Sequence, residues 1–164
     1  MVDEVIPEKV IPKFMATFGA ELLVTPANPL LSQTRINFDS LPWVGYLGPG
    51  DDEPTPYVFT KTLVDPDSGN FCMIVRLEPG APGPAHWHPS DTVYIPIRGE
   101  LHVAGEEVYR VGDLRWVKGG TAYSGEVPGP DGCEFIFLCL GPYGFFDPAV
   151  DEPPLGWGNR PSGS

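Results

Sequence analysis

The sequence predicts an all-β protein, either a sandwich or a closed barrel. Short apolar runs of strand character recur at regular spacing from Tyr57 onward, glycines and prolines punctuate them, and no helical periodicity separates them. A length of 164 residues suits one domain with a sizeable core. Twenty glycines and 21 prolines would suit disorder if they formed repeats, but here they break up apolar, aromatic-rich stretches.

Taken in order, the first element is the one helical candidate. Lys13 to Val24, between Pro12 and Pro26, carries Phe14, Phe18 and Leu22 at four-residue spacing. Pro26 to Gly50 is proline-rich and irregular and holds the apolar cluster Leu41 to Tyr46. Residues 1–50 therefore read as an N-terminal arm with a short helix, 51–146 as the barrel, and 147–164 as a loose tail. Within the barrel, Tyr57–Val64 and Phe71–Leu77 flank a turn from Pro66 to Asn70. Further strands are expected at Thr92–Arg98, Glu100–Val103, Glu107–Arg110, Leu114–Val117 and Glu134–Leu140. Gly99, Gly105, Gly112, Gly119-Gly120 and Asp131-Gly132 supply the breaks.

Charge and cysteine usage narrow the function classes. A net charge of −12 argues against nucleic acid, whose phosphates need clustered Lys and Arg. Arg98, Arg110, Arg115 and Lys118 fall in one span and read as solvated strand faces, with an anionic substrate handle open to one or two of them. Cys72, Cys133 and Cys139 make an odd count without metal-type spacing, which suits reduced thiols in a cytoplasmic protein. The N-terminus lacks the basic and apolar regions of a secretory signal. The longest apolar run, Phe135 to Leu140, is too short to cross a bilayer, so no membrane partner is expected.

The chemistry concentrates at His86 and His88. In an extended chain, residues i and i+2 share a face, roughly 6–7 Å apart along the strand. Two imidazoles so placed can converge on one metal ion at about 2.0–2.1 Å each. Pro82, Gly83 and Pro84 disfavour a helix there. The other reading is a pair of interior or rim histidines that hold no metal.

The spacing around this pair resembles the cupin superfamily. Its first motif, Gly-x5-His-x-His-x3–4-Glu-x6-Gly, is matched by Gly80, His86, His88 and Gly99, with Thr92 (or Val93, one slip along) at the glutamate. Its second motif, Gly-x5-Pro-x-Gly-x2-His-x3-Asn, falls on Gly112, Lys118, Gly120, Tyr123 and Val127, where only the glycines agree. Leu41-Pro-Trp43, Lys61-Thr-Leu, Asp67-Ser-Gly-Asn and Arg76-Leu-Glu-Pro-Gly look like small cupins that include acetylacetone-cleaving and dihydroxyacetophenone dioxygenases and anti-sigma-factor-type domains. The resemblance implies a jelly-roll β-barrel, often a homodimer, with a non-haem metal and a small-molecule substrate. The family's metal is held by three histidines, often with the glutamate, so two of its four ligand positions are kept here.

At the third histidine position stands Tyr123. Ionising a phenol at pH 7 costs roughly 4 kcal/mol, so Tyr123 reads as a hydroxyl that orients water or substrate, or as a general acid. Thr92 brings a neutral hydroxyl. Asp91 would complete a two-histidine, one-carboxylate set of the kind that suits Fe(II), ahead of Glu126, with Zn, Ni or no metal as the other outcomes. If Thr92 faces inward, so do Tyr94 and Pro96, and Tyr94 lies beside the histidines. Trp87 points to the opposite face, Trp116 walls the pocket, Lys118 reaches toward a substrate carboxylate or enolate, and His102 faces solvent. Three functions follow as expectations. The first is a metal-dependent dioxygenase acting on a small keto or phenolic compound. The second is a cyclase, isomerase or lyase using Tyr123 as acid and His86 or His88 as base. The third is a non-catalytic binding or sensory protein.

Overall fold

The computed structural model describes residues 35–48, 51–64 and 70–158. The expected helix at 13–24, most of the arm before it joins the sheet, and the Pro66–Asn70 turn (bar its last residue) lie outside these. Among the described residues the helical content is a single 3-10 turn, Phe38–Ser40, with the Asn37 side chain accepting from Asp39 N at 3.0 Å. No helix among them is long and apolar enough to cross a membrane.

Seven strands of the described residues make one antiparallel sheet: β1 (Val44–Gly45), β2 (Val58–Val64), β3 (Phe71–Leu77), β4 (Thr92–Val103), β5 (Tyr109–Arg110), β6 (Arg115–Val117) and β7 (Glu126–Cys139). Their order is β1-β2-β3-β7-β4-β5, with β6 also paired to β4. Strand periodicity sorts the side chains. Along β3, Met73, Val75 and Leu77 are buried, while Cys72, Ile74 and Arg76 are half-buried. Along β7, Cys133, Phe135, Phe137 and Cys139 do the same against Glu134, Ile136 and Leu138. Register then aligns Thr62, Met73, Phe137, Tyr94 and Arg115 in one row across β2, β3, β7, β4 and β6. That row forms the floor on which the site is built.

Two strands run well past their expected bounds. Thr92–Arg98 and Glu100–Val103 are one twelve-residue strand, and β7 starts at Glu126 rather than Glu134. Gly99 (φ +67°) and Gly132 (φ +82°) meet where the β4–β7 register slips, and a side chain on Gly99 would collide with the Gly132 carbonyl. The two glycines therefore bulge the ladder without ending it. Pro96, which has no N–H to give, sits at the neighbouring slip.

The segment read as a loose tail is tied back as far as residue 158. Ala122 N donates to Gly156 O, Leu155 N to Gly120 O, and Gly158 N to Ala122 O, each at 2.9 Å. Trp87 Nε1 donates to Asp151 O, also at 2.9 Å.

Candidate functional site

His86, Trp87 and His88 are extended, and backbone pairing holds them so. His86 and Tyr123 exchange two N–H···O bonds at 3.1 Å, Trp87 and Phe146 exchange two at 3.0 and 3.1 Å, and Gly120 N donates to His88 O at 2.7 Å. Alternation puts both imidazoles on the inner face, each 4% exposed. Trp87 turns the other way and stacks on Phe146 at 4.5 Å.

Each imidazole is oriented by its Nδ1. His86 Nδ1 lies 2.9 Å from Pro84 O and His88 Nδ1 lies 2.5 Å from Gly144 O. A carbonyl only accepts, so both Nδ1 atoms donate, and in the neutral ring each Nε2 keeps a bare lone pair. The rings stand 4.9 Å apart, and Phe145 stacks on His86 at 4.2 Å. Burial, and then the neighbouring His86, hold His88 well below the usual imidazole range. His88 is therefore a neutral base.

Between the two Nε2 atoms lies a phenol pair. Tyr123 Oη is 2.9 Å from His86 Nε2 and 2.5 Å from Tyr94 Oη, and Tyr94 Oη is 3.4 Å from His88 Nε2. Both phenols are fully buried, and burial followed by the charge of Glu126 holds each well above its ordinary value. They act as protonated hydroxyls. Beneath them, the Arg115 guanidinium carbon sits 4.3 Å from the Tyr123 ring centre and 5.0 Å from that of Tyr94. Arg115 Nε and Nη2 fork onto Glu106 at 2.7 and 2.6 Å, and Nη1 reaches Glu126 Oε1 at 3.3 Å. Burial works against its charge, but the Glu106 hydrogen bonds and the Glu126 charge more than offset this and raise its pKa. Glu126 Oε2 comes within 3.5 Å of His86 Nε2.

A cavity of about 400 Å³ opens over these groups. His86, His88, Tyr94 and Glu126 line its inner end, and Phe135, Phe137, Tyr143, Phe145 and Tyr46 form much of its wall. Tyr46 and Tyr143 share a hydrogen bond at 2.9 Å across the cavity wall, and burial pushes Tyr46 up to about 12.

The structure thus brings His86, His88, Tyr94 and Tyr123 together, and separates several other candidates from them. Asp91 does not line the cavity. Its carboxylate accepts from Gly119 N at 2.9 Å, Lys118 Nζ at 3.1 Å and Trp116 Nε1 at 3.2 Å, and the first of these leads in lowering its pKa. Trp116 is 57% exposed and is no pocket wall, because Arg115, its neighbour on β6, takes the inward position. Lys118 is exposed and paired with Asp91. Thr92 and Pro96 are buried but lie outside the cavity wall, and the Thr92 hydroxyl finds no hydrogen-bond partner among the described residues. His102, half-buried, pairs with Glu100 at 3.0 Å. Arg115, read from sequence as a solvated face, is 4% exposed and underlies the phenols. Its buried environment had one signal in the sequence: Glu106 and Glu126, nine residues before and eleven after it, are the acids that claim it.

The donor set does not fit the expected Fe(II) centre. Among the described residues no three His, Cys, Asp or Glu side chains gather as metal ligands. Besides the histidines, the inner end holds the Glu126 carboxylate, which is paired with Arg115 at 3.3 Å, and protonated phenols, which are poor ligands.

His88 also predicts a pH dependence of stability. Its folded pKa lies below the unfolded value of about 6.5, so the unfolded chain binds the extra proton between the two. Its contribution is complete above about pH 6.5 and is lost as pH falls toward the folded value, at no more than about 1.4 kcal/mol per unit. Urea midpoints measured between pH 7.5 and 5 should fall more steeply for the wild type than for His88→Gln. Equal slopes would place the imidazole elsewhere.

No protein-family model matches the sequence, and no curated protein does. Solved structures do match. A proposed acetylacetone dioxygenase from Methylibium petroleiphilum is 19% identical with a TM-score of 0.60, over 74% of this chain and 86% of that one. The polyketide cyclase RemF from Streptomyces resistomycificus is 17% identical at 0.59, over 74% and 89%. An acetylacetone dioxygenase from Acinetobacter johnsonii is 15% identical at 0.56, over 78% and 86%. At these identities the likeness is one of fold.

Proposed function

We propose that this chain, whose fold is that of the cupins, catalyses proton transfer on a small keto or phenolic compound, as a cyclase, isomerase or lyase does. The observation that carries this reading is the hydrogen-bonded series His86–Tyr123–Tyr94 beside the neutral His88, at the closed end of an aromatic cavity. His88 Nε2 takes the substrate proton. The Tyr94 hydroxyl, in contact with Tyr123, turns to the substrate oxygen where negative charge develops, and the proton then returns from His88 to another substrate atom. Desolvation makes the hydroxyl contact more effective than it would be in water. A polyketide cyclase on the same fold supports this class of chemistry, and the fold alone does not choose the substrate.

The second reading, an iron-dependent dioxygenase, is favoured by one observation: two Nε2 lone pairs on rings 4.9 Å apart facing one cavity. One experiment separates the two. EDTA-treated protein is incubated in D2O with a panel of aryl ketones and 1,3-diketones, and α-proton exchange is followed by NMR alongside oxygen uptake with and without Fe(II). Exchange that survives EDTA and falls at least tenfold in Tyr94→Phe is expected. Oxygen uptake that requires Fe(II), without exchange in its absence, would overturn the acid–base reading.

A further inference from the structure

The same hydrogen bonds dictate what the cavity can hold. His86 Nδ1 and His88 Nδ1 both give their protons to backbone carbonyls, so neither ring offers an N–H to the cavity. His86 Nδ1 already donates to Pro84 O, so the Tyr123 proton at 2.9 Å goes to His86 Nε2. The Tyr94 proton then falls to Tyr123 Oη at 2.5 Å. In the free site both phenol protons are committed, and His88 Nε2 has only the long 3.4 Å contact to Tyr94 Oη. Its ring is 4% exposed, so bulk water does little to satisfy it. The inner end is therefore rich in acceptors: His88 Nε2 and, a little further out, the Glu126 carboxylate.

The wall adds a second constraint. Among the described residues no Lys or Arg lines it, while Glu126, Asp51, Asp147 and Asp151 do. The Arg115 guanidinium lies behind the phenols with its donors committed to Glu106 and Glu126. An anionic ligand would thus be buried without a counter-charge. Phe135, Phe137, Tyr143 and Phe145 offer flat apolar contact instead.

We propose that the ligand is an uncharged phenol or enol that enters hydroxyl-first, its O–H donating to His88 Nε2 and its ring lying against the aromatic wall. This deepens the acid–base reading and rests on it: a hydroxyl placed there is the group whose proton His88 would take. Carboxylates are excluded, and ketones that cannot enolise bind weakly.

The test is binding to the EDTA-treated full chain, with phenol, its methyl ether anisole, and benzoate as matched probes followed by NMR titration. Phenol should bind about tenfold more tightly than anisole, the size of one neutral hydrogen bond to a buried acceptor, and benzoate more weakly than either. On adding phenol, and not anisole, the 15N resonance of His88 Nε2 should move upfield as it becomes a hydrogen-bond acceptor. This readout needs no variant and so survives any folding defect. In His88→Leu the preference for phenol over anisole should shrink below threefold. Equal binding of phenol and anisole, or tighter binding of benzoate, would overturn the proposal even if proton exchange is observed. Phenol preference without any exchange would leave it standing and remove only the catalytic reading.

Discussion

Tyr123→Phe is expected to slow EDTA-resistant proton exchange by about 10²–10⁴-fold, the range spanned by a positioned acid or base. The hydroxyl it removes touches both His86 Nε2 and Tyr94 Oη, so one deletion breaks the series in the middle. Two buried polar groups then lose their partner, and stability should fall by about 1–3 kcal/mol. Stability alone would not reveal a chemical role, so the decisive comparison is with Tyr46→Phe. That substitution removes a hydroxyl from the Tyr46–Tyr143 hydrogen bond, also buried in the cavity wall but outside the His86–Tyr123–Tyr94 series. It should lower stability to a similar extent and leave the phenol series intact. A Tyr123→Phe protein exchanging within threefold of wild type would remove the phenol pair from the mechanism.

The second large effect belongs to Arg115. Its guanidinium is 4% exposed as a residue, forks onto Glu106, touches Glu126 and underlies both phenol rings. Arg115→Met removes the cation and leaves two poorly solvated carboxylates facing one another. Breaking a buried pair from one side costs about 3–5 kcal/mol, which in a chain of this size corresponds to a fall in Tm of roughly 10 °C. Arg115→Lys should restore only part of this, because an ammonium cannot make the two-pronged contact with Glu106. Adding Glu106→Gln to Arg115→Met should recover stability, since it removes one of the orphaned charges. A loss under about 1 kcal/mol in Arg115→Met, by urea titration, would mean water reaches the carboxylates and the cluster is not a buried ion pair.

The sequence speaks clearly where a single strand carries the information. Phe71–Leu77 is recovered to the residue because Met73, Val75 and Leu77 alternate with less buried neighbours. The shared face of His86 and His88, the opposite face of Trp87 and the inward turn of Tyr94 follow from the same parity. What failed to show depends on contacts between distant segments. Gly99 reads as a strand break until Gly132 is known to lie against it. Asp91 is a plausible ligand until Lys118, Trp116 and Gly119 claim its carboxylate. Arg115 and Trp116 were ordered the wrong way round between inside and outside, a one-residue choice of phase in a three-residue strand that only the register with Tyr94 settles.

The position of β7 has a consequence for how the chain acquires its shape. β7 runs from residue 126 to 139, is the last of the described strands, and lies between β3 and β4, bonded to both. As a nascent chain grows from its N-terminus, β3 and β4 both emerge with an edge that no described strand before β7 fills. The two halves of the sheet can join only once Cys139 has left the ribosome. The slow step should therefore be a long-range closure, and until it happens the open edges of β3 and β4 are templates for pairing with other chains. Translation stalled before β7 would leave a chain prone to aggregate. Speed of synthesis through residues 104–139 thus becomes a determinant of yield.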